Sequence, residues 1–323
     1  MGALLFLLYF ALLLQGAEPA TFTITNSCEY TVWPGILSNA GAPPPSTTGF
    51  ALSPGQSVAV TVASVWSGRI WGRTLCATDS SSSSSGSFTC ATGDCGSGAV
   101  ECSGRGASPP ATLAEFTLAG GGTGGDDFYD VSLVDGFNVP MLVAPAHADD
   151  DDDDDDGGRR SCQPTGCPAD LNRACPSELR VTSPSSSSGS GEDDDDNAVA
   201  CRSACEAFGA AEYCCSGAYG SPATCAPTAY SRFFKDACPR AYSYAYDDAT
   251  STFTCAANGG GSGYDVVFCP NTSSLKSGGN PAAAGLPPSN PTMVFSGHAA
   301  DSLMTSRNAA AAILVVAISA ISL

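Results

Sequence analysis

Cysteine is the residue type with the most chemistry to offer in this chain of 323 residues, which carries 16 of them and only two histidines. A thiol can ligate a metal, attack as a nucleophile, exchange electrons or close a disulfide, and spacing separates these options. No C-x-x-C pair occurs, which argues against zinc ribbons and thioredoxin-like redox chemistry. The count is even, and an even count behind a secretory leader reads as a disulfide framework. Cys214 and Cys215 are adjacent, so each is expected to pair elsewhere. His147 abuts a poly-Asp run and His298 lies in the C-terminal tail. Neither suits a Ser-His-Asp triad, a Cys-His protease or a histidine-based zinc site. The residue types point to no metal and no cofactor. Residues 120–125 are glycine-rich, but the β-favouring FYDVSLV follows where a phosphate loop requires a helix. Glu115, Asp130 and Asp135 sit in strand-like segments and, by residue type alone, read as solvated acids on outward faces.

Short strands must position these groups. Residues 21–33 alternate apolar and polar, as do 58–62, and 68–73, 113–118 and 128–134 read as further strands. Residues 35–49 carry Pro43, Pro44 and Pro45 and read as a loop. Such a run of short strands and turns implies a sandwich or barrel over residues 21–145. From Cys162 the character changes to a cysteine-stapled, loop-rich region reaching about residue 240, with helices expected at 198–208 and 229–237. Strand-like segments at 252–255 and 264–269 close the region.

Low-complexity inserts interrupt the chain at 80–85, 149–158 and 183–197, the last two rich in acids. They supply thirteen of the 32 acidic residues behind the net charge of -19, so the remainder is only mildly acidic against 13 basic residues. The poly-Asp run lacks the fixed ligand geometry that calcium requires. No basic stripe exists, which argues against nucleic acid and against an anionic membrane surface as partners. Residues 4–14 form an apolar run followed by small residues, a signal peptide within 1–20 with cleavage expected after Ala17. Asn271-Thr272-Ser273 is a glycosylation sequon. A polar linker spans 271–308, and 309–323 are apolar to the last residue. Those fifteen residues would reach roughly 22 Å as a helix, short of the ~30 Å hydrocarbon core. Polar spacer and terminal apolar stretch fit a GPI-attachment signal, with attachment near residues 296–300.

Residues 86–102 read GSFTCATGDCGSGAVEC. Gly93 and Asp94 are turn formers, and a short disulfide would hold the turn. Gly86, Phe88, Cys90, Thr92, Gly93, Asp94, Cys95, Gly98 and Cys102 fill a pattern that resembles the signature of the thaumatin-like proteins, a plant defence family. SCEYTVWP (27–34), IWGRT (70–74), PPATLAEFTL (109–118), DFYDVSLVDGFNVP (127–140), EYCC (212–215) and YSRFFK (230–235) extend the resemblance over 21–270. It implies a mainly β fold: a β-sandwich, a disulfide-rich second domain and a small third loop domain. It implies eight disulfides, Cys28–Cys269, Cys76–Cys90, Cys95–Cys102, Cys162–Cys255, Cys167–Cys238, Cys175–Cys201, Cys205–Cys214 and Cys215–Cys225. The inserts would then fall in loops. The family's acidic interdomain cleft maps to Arg69, Glu115, Asp130, Asp135 and Asp247. From the resemblance follows a secreted, monomeric antifungal protein that binds β-1,3-glucan of fungal cell walls. Two alternatives accompany it: a weak endo-β-1,3-glucanase using Glu115 as acid and Asp135 as base or nucleophile, or a lipid-anchored recognition module at the plasma membrane.

Overall fold

A computed structural model describes residues 19–78, 87–120, 125–146, 162–182, 198–256 and 263–270. The apolar leader run, the three inserts, Asn271, the linker and the apolar tail lie outside the described residues. Strand β1 (Ala20–Asn26) buries Ala20, Phe22, Ile24 and Asn26 and turns the threonines between them outward. On one side it pairs antiparallel with β3 (Ser57–Val62), and on the other it runs parallel to β13 (Gly263–Phe268). Beyond β13 come β8 (Met141–Pro145) and β9 (Thr165–Cys167), making five strands.

The second sheet is antiparallel, in the order β12 (Phe253–Ala256), β7 (Asp126–Ser132), β6 (Leu113–Thr117), β4 (Ser67–Thr78) and β2 (Trp33–Ser38). β4 is long enough to pair with β5 (Phe88–Thr92) through its last residues. Aromatic rings seal the two sheets together. Phe22 meets Phe116 edge-on at 4.6 Å and Trp66 at 5.4 Å, and Phe116 meets Tyr264 at 5.2 Å. Such pairs add about 0.5–1.5 kcal/mol each beyond area burial. Buried Asp127 also links the sheets, accepting from Ala119 N at 2.8 Å and from the Tyr264 hydroxyl at 3.0 Å.

Three expectations change. The alternation at 21–33 is broken after Asn26, and the predicted 35–49 loop loses its first residues to β2. Gly35 is the reason: a side chain there would lie 2.5 Å from the Trp71 ring, so only a glycine lets β2 lie over that indole. The helix expected over 198–208 is instead a strand followed by a shorter helix. Strand β11 (Ala198–Cys201) pairs with β10 (Arg180–Thr182), and Cys201 exchanges backbone hydrogen bonds with Phe137, both 2.8 Å. That pairing holds the segment extended until Ser203 caps α1 (Ala204–Phe208), which Gly209 ends in the left-handed region. Helix α2 (Ala229–Ala237) matches its expectation and opens with a capping box at Thr228 and Ser231. A short α3 (Asp248–Ser251) precedes β12.

All sixteen cysteines are paired, with the partners that the family pattern implies. The cysteine-rich region shares the core of the sandwich. Leu171, Leu179 and Phe234 belong to the same buried apolar cluster as the sandwich. It is also sewn to the sandwich, through β9 at the edge of the first sheet and through the Phe137–Cys201 bridge.

Candidate functional site

The site begins with strand alternation in the second sheet. Ile70, Phe116 and Tyr129 point into the core, so Arg69, Glu115 and Asp130 stand on the opposite, outer face. Register then lines them up. Arg69 in β4 faces Glu115 in β6, and Glu115 faces Asp130 in β7. Directly opposed side chains lie about 4.5–5.5 Å apart at Cβ, so one row carries a cation and two carboxylates.

The rows on either side differ. Trp71 and Leu113 lie toward the signature turn and are fully covered, packed with Cys95, Cys102 and Ala111. The turn is pinned there by the Trp71 indole, which donates to the Gly93 carbonyl at 2.8 Å, and by Arg73. Arg73 is buried and donates to the carbonyls of Trp33, Pro34 and Val100 at 3.0, 3.1 and 2.6 Å. Burial lowers its pKa to about 10, against the opposing pull of Asp94 and Glu101. On the other side, Ser67, Thr117, Phe128 and Thr254 share a row open to solvent. The Phe128 ring is 46% exposed, two residues or roughly 7 Å along β7 from Asp130.

Asp135 follows β7 in the Leu133–Phe137 turn, and its backbone carbonyl accepts from Ala111 N at 3.0 Å. Burial raises the Asp135 carboxyl, and Arg69 pulls it back. Burial likewise raises Glu115, with Arg69 opposing and Asp135 reinforcing. Asp130 is raised furthest, by burial first and then by the charges of Glu115 and Asp248. Carboxyls so placed hold protons at pH values where ordinary ones do not, so they can donate as well as accept hydrogen bonds. Two polar atoms in the row, Arg69 Nε and Asp130 Oδ1, are buried without a hydrogen-bond partner. Arg69 Nε lies 3.9 Å from Glu115 Oε1, too far for a hydrogen bond.

Asp247 is committed elsewhere. It binds the Lys235 ammonium at 2.9 Å and accepts from the backbone and side chain of Ser243, both at 3.0 Å. Its neighbour Asp248 is the acid whose charge reaches Asp130, and it accepts from the Tyr242 hydroxyl at 2.8 Å. Tyr242 runs beside β7, exchanging backbone bonds with Val131 and Leu133. The structure brings Arg69, Glu115 and Asp130 into one row, with the charge of Asp135 acting on Glu115 and that of Asp248 on Asp130. Phe128 and Tyr242 join the site without having been expected.

The chain belongs to the thaumatin family, whose model matches residues 26–270. It is 53% identical over 269 residues to "Thaumatin-like protein 1" of Arabidopsis thaliana, covering 82% of this chain and 92% of that one. It is 51% identical over 255 residues to "Thaumatin-like protein 1" of Pyrus pyrifolia, covering 79% and 93%. A "Glucan endo-1,3-beta-glucosidase" of Prunus avium is 49% identical over 255 residues, covering 79% and 92%.

Proposed function

We propose that the chain is a secreted plant defence protein that binds the β-1,3-glucan of fungal cell walls in this cleft and is thereby antifungal. The observation that carries the reading is the register of Arg69, Glu115 and Asp130 beside the exposed ring of Phe128. Sugar hydroxyls donate to carboxylates and accept from guanidinium and from protonated carboxyls, while the ring faces of sugars stack on aromatics. The Arg69 and Glu115 side chains are 24% and 38% accessible, so their outer polar atoms can meet sugar hydroxyls. The cleft divides the sandwich from the disulfide-rich domain, with a small third loop domain alongside. The protein acts as a monomer without metal or cofactor, glycosylated at Asn271 and held at the plasma membrane by a lipid anchor added near residues 296–300.

A second reading, weak endo-β-1,3-glucanase activity, draws support from the raised Glu115 carboxyl beside Asp135 and from the name of the Prunus avium relative. Glycosidases use one protonated carboxyl and a second carboxylate. One experiment separates the two readings. Purified protein and Glu115→Gln are compared for pull-down on insoluble β-1,3-glucan and for reducing-sugar release from laminarin. Binding that weakens about tenfold in the variant, without sugar release, is the expected result. Release that disappears in the variant makes the protein a glucanase. Neither binding nor release removes both readings.

A further inference from the structure

Three aromatic rings from three elements meet on the surface of the cysteine-rich region. Phe208 closes α1, Tyr213 lies in the turn of residues 211–215, and Tyr230 lies in the first turn of α2. Each ring neighbours both others, with centroids 5.6 Å apart for Phe208–Tyr213, 5.3 Å for Phe208–Tyr230 and 5.8 Å for Tyr213–Tyr230. Local structure fixes the trio. Gly209 ends α1 in the left-handed region, Cys205–Cys214 ties α1 to the residue after Tyr213, and the capping box at Thr228 and Ser231 sets the start of α2. Even so, Phe208 stays 44% exposed and both tyrosines are only half-buried, so the cluster offers ring surface to a ligand.

The rim sorts the partners. Glu178 accepts from the Tyr230 hydroxyl at 3.0 Å on one oxygen and from the Ser177 hydroxyl at 3.1 Å on the other. Its own backbone N–H and these two hydroxyls hold the carboxyl below its ordinary range, so it stays an ionised acceptor. Exposed Glu212 adjoins Tyr213. Aromatic faces edged by carboxylates repel an anionic lipid surface, an acidic partner and a second copy of this chain, whose net charge is -19. They suit a neutral ligand with apolar faces and hydroxyl donors, which is the chemistry of a saccharide. The angles between the rings select the linkage. Their planes are turned by 50°, 45° and 80° from one another. A β-1,4-linked chain is a flat ribbon that stacks on coplanar rings, whereas a β-1,3-linked chain curves and turns each sugar face from the last. Tyr213 also lines a recess shared with Val134, Ser203, Ser231 and Ser243, so the trio borders a hollow that reaches the residue before Asp135. Resting on the glucan reading above, we infer that Phe208, Tyr213 and Tyr230 form a second saccharide-binding surface, stacking on the turned sugar faces of the β-1,3-linked chain that the acidic row holds.

The test measures the affinity of the full secreted chain for insoluble β-1,3-glucan and for cellulose. Phe208→Ala, Phe208→Leu, Phe208→Tyr, Glu115→Gln and the double variant Glu115→Gln with Phe208→Ala are compared with the wild type. Phe208→Ala is expected to bind β-1,3-glucan about tenfold more weakly. Phe208→Leu keeps the apolar volume but not the aromatic face, so it should be as weak, and Phe208→Tyr should bind as the wild type does. The double variant should lose about a hundredfold, because the two surfaces hold one polymer and their losses multiply. Full glucan binding by Phe208→Leu overturns the inference; if that variant has instead lost affinity for a Lys- and Arg-rich peptide, the trio is a peptide site. Equal wild-type affinity for cellulose overturns the assignment of linkage. Weakening by Phe208→Leu but not by Glu115→Gln keeps the trio and removes the cleft reading, and the reverse keeps the cleft alone. No glucan binding by the wild type removes both.

Discussion

Asp130 concentrates what is unusual about the site in one side chain. It lies on a strand whose neighbours force it to share a face with Glu115, and one of its oxygens has no partner. Glu115, Asp130 and Asp135 all bind a proton more tightly in the folded chain than in the unfolded one. The stability they contribute is full below the ordinary carboxylate range of about pH 4 and is lost as the pH climbs through their raised values. Glu101 works in the opposite sense. It is desolvated but held by hydrogen bonds from Thr48 and Thr47, which lower it, so its contribution is lost only in stronger acid. Asp130→Asn keeps the shape and removes the ionisation furthest from its ordinary value. Calorimetry at several pH values should show the variant melting about 2–4 °C above wild type near neutrality and level with it near pH 4. Parallel pH profiles for the two proteins would mean that Asp130 ionises in the fold without strain.

Elements matter here through the places where they meet. The turn of residues 133–137 touches β11 and α1 at Gly136, whose φ of 86° and missing side chain allow the approach. Gly136→Ala is expected to cost about 1–3 kcal/mol in denaturant melts. It should also weaken glucan binding beyond what that loss explains, because it shifts the turn that carries Asp135. Unchanged binding in a folded Gly136→Ala would show that the junction positions nothing. Such junctions are what the sequence leaves unwritten. Alternation made β1, β3, β6 and β7 legible, since burying Phe22 or Phe116 dictates which neighbours face outward. The loop at 35–49 and the helix at 198–208 were misread because distant partners decide them: the Trp71 ring in one case and the Phe137 backbone in the other. In the same way Glu115 is legible through a family pattern, whereas Tyr242 needed the fold to lay it beside β7.

At the scale of the whole molecule, the proposed lipid anchor predicts that phosphatidylinositol-specific phospholipase releases the protein from plant membranes into the soluble fraction; retention in the membrane would point to a spanning tail. A different consequence comes from the parallel pairing of β1 with β13, reinforced by Cys28–Cys269 across 241 residues. Among the described strands, the first to leave the ribosome takes its central partner from the last to be made. At about 5–20 residues per second, β1 waits roughly 12–50 s with one edge open and Phe22 and Ile24 uncovered. During synthesis the sandwich cannot close from its N-terminus onward; it closes only when the final strand arrives. The secretory pathway must keep that edge from pairing with a neighbouring nascent chain, and a chain cut short before β13 would leave β1 and β8 as bare edges ready for self-association.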